Sequence, residues 1–516
     1  MTISATIQNR DSTDRIEQNW DTLEVERYDK DALFGPKSAR LRATGSSMDV
    51  WKFLNMLRCP VIIRDDELGK PQWWGFIHDI VINDGANTFG LSLDTMANNV
   101  SVAYTNEYHR YTTDWSENTI SSDEYGQKDN RISSSEVSEA KALQRRDTEL
   151  ERRKFPTIQF RGGASNTSSF VTINCRGWDD TLEWPYYENA LGLESYETSG
   201  PGVREIGEDD RPIAAMSFQL SSAAGWSATS VWVKCYKKGT PAVNLNVSLY
   251  SDSAGKPNAQ LATCAIAGAD IPTSSTWTEF TMGSAVALST GTTYWIHVEK
   301  SGAISLTDYF VVETNKDLGY ESGGLYLYST IESDWVERNA KGDMNFKVIG
   351  KISTTDQITN LITNVGEFIV STTIQDASGV TSDPNRDGDT TALKELIKLL
   401  EAGTTNDRRL LAPISINRIM TVKQEPLPQS IDGSYKLDSD GRLLGANDQL
   451  VPETDCVVGE WAYLKDVIPN TVDVTLVATP SPFFIEEAEY TPRNGYKIKR
   501  VRDQRDVFII GGVTQG

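Results

Sequence analysis

The most specific spacing in the chain is the acid-rich run Asp383-Pro384-Asn385-Arg386-Asp387-Gly388. Oxygens at its first, third and fifth places and a glycine at the sixth match the opening of a calcium loop, where carboxylate and amide oxygens surround a hard cation. Asp383, Asn385 and Asp387 are therefore candidate calcium ligands. The twelfth place, which a bidentate glutamate fills in such loops, is Lys394, and Glu395 comes one residue late. An Asp-rich turn capping the helix that follows is the simpler reading.

Indole rings offer a second chemistry. Trp226, Trp232, Trp277, Trp295 and Trp335 crowd the middle of the chain, and flat aromatic faces are what binding sites stack against sugar rings. Trp226, Trp277 and Trp335 are the candidate glycan contacts. Core packing is the competing role, most plainly for Val231-Trp232-Val233 and Tyr294-Trp295-Ile296, which lie inside strand-like runs.

Catalysis finds less footing. The pair Glu332 and Asp334 cannot be told from solvated carboxylates in a chain with 72 acids. There is no Gly-x-Ser-x-Gly, no His-Glu-x-x-His and no phosphate-binding Gly-Lys-Ser/Thr. The three histidines, His78, His109 and His297, and five scattered cysteines without a Cys-x-x-Cys suit neither a zinc site nor a disulfide scaffold. The reading is non-enzymatic, with no cofactor. The aromatic run Trp178, Trp184, Tyr186 and Tyr187 reads as a packing seam between domains.

Length and periodicity set the elements that must position these residues. At about 150 residues per domain, 516 residues suggest three or four domains. The net charge of −22 repels phosphate backbones, so no sequence-specific nucleic acid is expected as a partner. No window approaches the ~18 apolar residues of a membrane helix. The N-terminus also lacks a basic stretch followed by an apolar one, so a soluble, non-exported product without a membrane span is expected.

Residues 23–26 and 39–43 alternate with period two, and 60–64 and 73–82 are strand runs. Val50, Phe53, Leu54 and Leu57 mark one short amphipathic helix between them. This region predicts a small barrel or sandwich. Residues 134–154 predict a charged surface helix with Ser135 as N-cap and Pro156 as its stop, and 192–212 predict an exposed linker. Between 211 and 350 the composition turns to 30 Ser/Thr, with 10 Lys/Arg against 12 Asp/Glu, in short strands without helical period. That is the pattern of an antiparallel β-sandwich. Two amphipathic helices follow at 355–362 and 393–400, then strands at 435–440, 461–464, 472–477 and 483–489. The hairpin pattern of 76–94 has a counterpart at 484–501, which fits either a duplicated unit or two unrelated hairpins.

Several runs resemble the hub proteins of tailed-bacteriophage tail tips and baseplates. They are Gly35-Pro36-Lys37-Ser38-Ala39-Arg40-Leu41, Leu57-Arg58-Cys59-Pro60-Val61, Trp73-Trp74-Gly75-Phe76 and Thr112-Thr113-Asp114-Trp115 with Glu124-Tyr125-Gly126. Asp356-Gln357-Ile358, Arg386-Asp387-Gly388-Asp389, Leu410-Leu411-Ala412 and Pro482-Phe483-Phe484-Ile485-Glu486 extend the likeness to the second half. Asn246-Val247-Ser248-Leu249-Tyr250-Ser251-Asp252 and residues 342–350 resemble choice-of-anchor or carbohydrate-binding-like sandwiches.

The resemblance implies a virion structural protein made in the host cytoplasm, a hub that closes or adapts the distal end of the tail tube. It also implies a homotrimer, with distal tail, tail-tube and tip or fibre proteins as partners, and a sandwich that contacts host-surface polysaccharide. A stand-alone glycan-binding adhesin and a tail-associated cell-wall hydrolase are the alternatives. The expected fold class is mainly β with a few helices (β-rich α+β). It comprises an N-terminal hub barrel (1–115), a mixed connecting domain (116–206), an inserted antiparallel β-sandwich (207–350), the return of the connecting domain (351–405) and a C-terminal hub barrel (406–516).

Overall fold

The computed structural model describes residues 3–11, 16, 23–66, 69–106, 109–135, 138–163, 168–187, 191–197, 202–208, 212–222, 225–315, 320, 322–337, 343–382, 384, 390–427, 435–437, 443–444, 458–459, 461–464, 483–492 and 495–503. Over these residues the chain is mainly β with a few short helices, as its periodicities predict. Among the described residues no helix is long and apolar enough to cross a membrane.

The expected barrels are replaced by a shared open sheet. No described sheet closes on itself. Strands from both ends of the chain instead enter one thirteen-stranded sheet, in which Glu24–Asp31 pairs antiparallel with Phe483–Thr491. Tyr28 and Tyr490 face each other at this junction, both buried, with ring centroids 4.8 Å apart. Stacking of this kind contributes about 1 kcal/mol beyond the area it buries. Lys499 bridges Asp29 and Glu489 beside the stack, and Lys37 reaches Glu487.

The two related hairpin patterns both form hairpins in this sheet, Lys70–Asn83 with Asn87–Ser92 and Phe483–Thr491 with Gly495–Asp503. The expected strand at 472–477 lies outside the described residues. One continuous apolar core runs from Ile7 through Trp73, Ile173, Leu361 and Leu400 to Tyr490, so the two ends and the connecting segments form a single body. The helices sit close to their predicted places, at Glu139–Arg153, Thr354–Val365 and Ala392–Glu401. Ser138, not Ser135, is the N-cap of the first. Trp178 and Trp184 clasp Phe76 and Phe368 at 5.3–5.9 Å, so the aromatic run expected to form a seam between domains packs inside one continuous core.

The sandwich has a separate core, from Leu191 to Ile352. Its first strands are Leu193–Tyr196 and Gly202–Ile206, within the stretch expected to be a linker. Polar residues dominate that stretch, yet Tyr196 and Ile206 are buried in the sandwich core, which is sufficient to recruit both strands to the sheet. The sandwich also has a narrow root. The entering strand Leu193–Tyr196 pairs with the leaving strand Phe346–Gly350, and the Gly350 amide donates to the Gly192 carbonyl at 2.8 Å. Gly192 has φ +92°, and a Cβ there would meet Ile352 at 2.6 Å, so only glycine fits this corner.

A domain with its own core and adjacent ends should separate cleanly. Replacing 191–351 by a short Gly-Ser linker is expected to leave a body with a cooperative thermal transition, and the excised 191–351 segment should show one of its own. Circular dichroism melts of the two pieces check this; aggregation of either would show that the cores depend on each other.

Candidate functional site

One sheet of the sandwich carries strands in the order Lys256–Ala267, Asn244–Ser253, Tyr294–Lys300, Ile213–Phe218, Leu325–Ser329 and Asp334–Glu337. Period-two alternation sends Leu245, Val247 and Leu249, Ile296 and Val298, Met216 and Phe218, and Leu325 and Leu327 into the core. The residues between them must then share the outer face. Register sets Tyr250 opposite Trp295, Ser248 opposite His297, Ala215 opposite both His297 and Tyr326, and Tyr328 opposite Trp335.

Small side chains at the centre make this face a platform. Ser248, Ala215 and Ser217 leave room for the neighbouring rings to lean inward and cover them. His297 lies 4.8 Å from Tyr250 and 5.8 Å from Trp335, Tyr328 is 5.5 Å from Trp335, and Trp295 meets Tyr326 edge-on at 5.0 Å. The result is a continuous aromatic layer in which Tyr250, Tyr326, Tyr328 and Trp335 remain partly exposed.

Polar groups fix its rim. The Trp295 indole N–H donates to Asp252 at 2.8 Å, which accounts for its near-complete burial. Lys256 holds both oxygens of Asp334 at 2.8 Å, tying the two hairpins at opposite edges of the sheet together. The Tyr250 hydroxyl reaches Gln260 at 3.2 Å. Within the layer, burial lowers the His297 imidazole from 6.5 to about 4, so the ring is neutral at neutral pH. An apolar, uncharged surface with hydroxyl and carboxylate groups at its edge is chemically suited to a polyhydroxylated ring.

The structure separates the three tryptophans picked out by sequence. Trp335 belongs to the platform. Trp277 lies on the outer face of the opposite sheet, under the Lys347 ammonium at 4.6 Å. Trp226 is only 5% exposed and donates to Ser222 in the core, so it has no face to offer a ligand. That expectation is corrected: Trp226 begins a strand whose alternation turns it inward. Sequence reasoning missed Tyr250, His297, Tyr326 and Tyr328, although the alternation Leu325-Tyr326-Leu327-Tyr328 marks two rings on one face.

Asp334 is held by Lys256 at 2.8 Å, while Glu332 is exposed on the adjacent turn. Asp383, Asn385 and Asp387 lie outside the described residues. Among the described residues no three His, Cys, Asp or Glu side chains are grouped to hold a metal ion. The body has a cleft of ≈ 820 Å³ beside the aromatic seam, lined by Glu117, Asp123, Asp129 and Glu367. Burial raises the pKa of Glu367.

The platform makes stability depend on acidity in a defined direction. The unfolded chain takes up a proton at His297 near 6.5, but the folded chain does so only near 4, so acid favours unfolding across that window. This contribution is fully present above 6.5 and is lost as the pH falls to 4. Urea titrations should show about 2 kcal/mol less stability from this group at pH 5 than at pH 7, and the His297→Gln variant should lack that component. An unchanged difference in the variant would place the titrating group elsewhere.

No protein-family model matches the sequence, and no curated protein matches it. Among solved structures, the chain is similar to the cysteine protease and lectin-like domains of Cwp84, a surface-layer-associated protein of Clostridium difficile. The match has 13% identity over 37% of this chain and 41% of that one, with a TM-score of 0.23. A second is a glycoside hydrolase family 43 arabinoxylan arabinofuranohydrolase from Bacillus subtilis, at 10% identity over 53% of this chain and 63% of that one, with a TM-score of 0.15. The chain thus spans about two fifths of the first of these structures, and likenesses this distant carry no functional argument.

Proposed function

We propose that this chain is a virion structural protein of a phage tail tip, a non-enzymatic hub whose body builds the assembly and whose sandwich contacts saccharides on the host surface. The observation that carries the reading is the aromatic platform of Tyr250, Tyr326, Tyr328 and Trp335, presented on a sandwich that joins the body through two adjacent strands. A rigid body that carries a binding face on a narrow root has the design of a display scaffold. The placement at a tail tip draws on the resemblance of residues 35–41, 57–61, 73–76 and 482–486 to hub proteins.

Two features of the body favour self-association. Strand Ile3–Ile7 ends the large sheet; among the described residues its outer edge holds one backbone bond, from the Ile16 amide to the Ile7 carbonyl at 2.9 Å, and the rest of that edge is open to pairing with another copy. Phe155, Ile158 and Phe160 expose apolar side chains along one segment, Phe160 at 65%. A homotrimer that meets distal tail, tail-tube and tip or fibre proteins is the assembly proposed. A free adhesin would use the same platform but would have no need of these contacts.

Light scattering of the purified chain should give three times 57.2 kDa, and antibodies to it should label purified particles at the tail tip. A monomer that is also missing from particles would overturn the hub reading. On saccharide arrays built from host-surface polysaccharide, Trp335→Ala together with Tyr328→Ala should weaken binding at least about tenfold, since ring stacking contributes about 1–2 kcal/mol. Equal binding by wild type and variant would remove the platform from recognition.

A further inference from the structure

A second site lies in the body, on the face of the large sheet. Six neighbouring strands there run in the order Gln159–Gly163, Asn87–Ser92, Lys70–Asn83, Ser169–Arg176, Gly35–Gly45 and Glu24–Asp31. Their register sets Ser92, Asp79, Asn174, Arg40 and Arg27 side by side across five of these strands. A cleft of ≈ 580 Å³ opens over this row.

Three bulges converge on the cleft. The register slips between Asn174 and Cys175, leaving His78 as the extra residue on its strand. It slips again between Val25 and Arg27, leaving Glu26 extra, and between Phe160 and Gly162, leaving Arg161 extra. In a regular strand consecutive side chains face opposite ways, whereas a bulge lets them share a face. His78 and Asp79 both line the cleft as a result. Gly90 leaves room for the arrangement: a Cβ there would meet the Arg161 guanidinium at 2.1 Å and push it from its place over the neighbouring strand beside Asp79, 3.4 Å away.

Donors outnumber acceptors in this cleft. Asp79 is already taken by the Asn174 amide at 2.6 Å and by Arg161. Asp94 is taken by His78 at 3.3 Å and Lys128 at 3.7 Å, Asp180 by His78 and Arg176 at 3.9 Å, and Glu26 by Arg40 at 2.8 Å. The side chains of Arg27, Arg40, Arg161 and Arg176 are 43–49% exposed. Each guanidinium carries five N–H donors, of which its carboxylate partner occupies one or two. The remaining donors come from four different strands and face one opening, in a chain whose overall charge of −22 would otherwise repel anions.

We propose that this cleft binds an oxyanion-bearing ligand, a phosphate or carboxylate group held in a fork by Arg40, Arg161 and Arg176. Planar guanidinium groups pair with such groups through two parallel hydrogen bonds, and this gives geometric selectivity as well as attraction. The site is independent of the saccharide platform and of the chain's place in a particle.

Calorimetric titration of the full chain with sodium tripolyphosphate, and separately with citrate, at fixed ionic strength tests it. One saturable site per chain is expected for at least one probe, and the tighter of the two identifies phosphate or carboxylate as the preferred group. Arg40→Gln with Arg176→Gln should weaken binding at least about tenfold. Lys238→Gln, on a strand of the sandwich with its separate core, should leave it unchanged. Thermal melts establish that the variants fold, and Arg176→Gln alone, whose carboxylate contact is the longest at 3.9 Å, serves if the double variant does not. Absence of a saturable site for both probes would overturn the proposal, as would binding that these arginine substitutions leave intact.

Discussion

The structure depends on the antiparallel pairing of Glu24–Asp31 with Phe483–Thr491. Residues more than 450 positions apart share a ladder there, sealed by the Tyr28–Tyr490 stack and by Lys499 between Asp29 and Glu489. Closing so long a loop costs entropy that only a large buried area can offset. The buried carboxylates Glu425 and Glu486 add a second tie, held by Arg409, Arg500 and Arg502. A buried charge of this kind must keep its partner, since stranding one costs about 3–5 kcal/mol. Because both ends lie in one sheet, a domain inserted between them must leave the body and return to it.

The sandwich satisfies that constraint. Its entering and leaving strands are neighbours, so its 160-odd residues load the body at one point. A domain attached this way can change its outer face without disturbing the body core, because the two apolar clusters are distinct. The function proposed above follows this division, with assembly on the body and recognition on the sandwich. The cleft over Asp79 and Arg40 lies wholly on the body side of this division.

Both proposed sites arise from departures from regular sheet geometry. On the sandwich, small residues at Ser248, Ala215 and Ser217 let large rings lie over a strand surface that would otherwise hold them upright. On the body, three bulges border the cleft, and the one at His78 turns the consecutive residues His78 and Asp79 to one face. Such irregularities cost ladder hydrogen bonds, and their convergence on one cleft is what a functional site requires.

Local chemistry was legible in the sequence wherever it was governed by near neighbours. Period-two and period-3.6 patterns identified the principal helices but under half of the strands, and the composition shift marked the sandwich to within about twenty residues of its first strand. Trp335 was picked out by composition alone, as one of five indoles that crowd the middle of the chain. Long-range pairing decided the rest. Alternation says which residues share a face but not which strands adjoin, so two barrels and one shared sheet are equally compatible with the same hairpins. It also could not tell that Trp226 faces the core, that Tyr250 and His297 meet Trp335, or that His78, Arg40 and Arg161 surround one cleft, because each depends on register between distant strands. By itself the sequence determined a mainly β chain with a middle stretch of distinct composition, and only the tertiary pairing of distant strands decided that its ends form one body and where its rings and arginines converge.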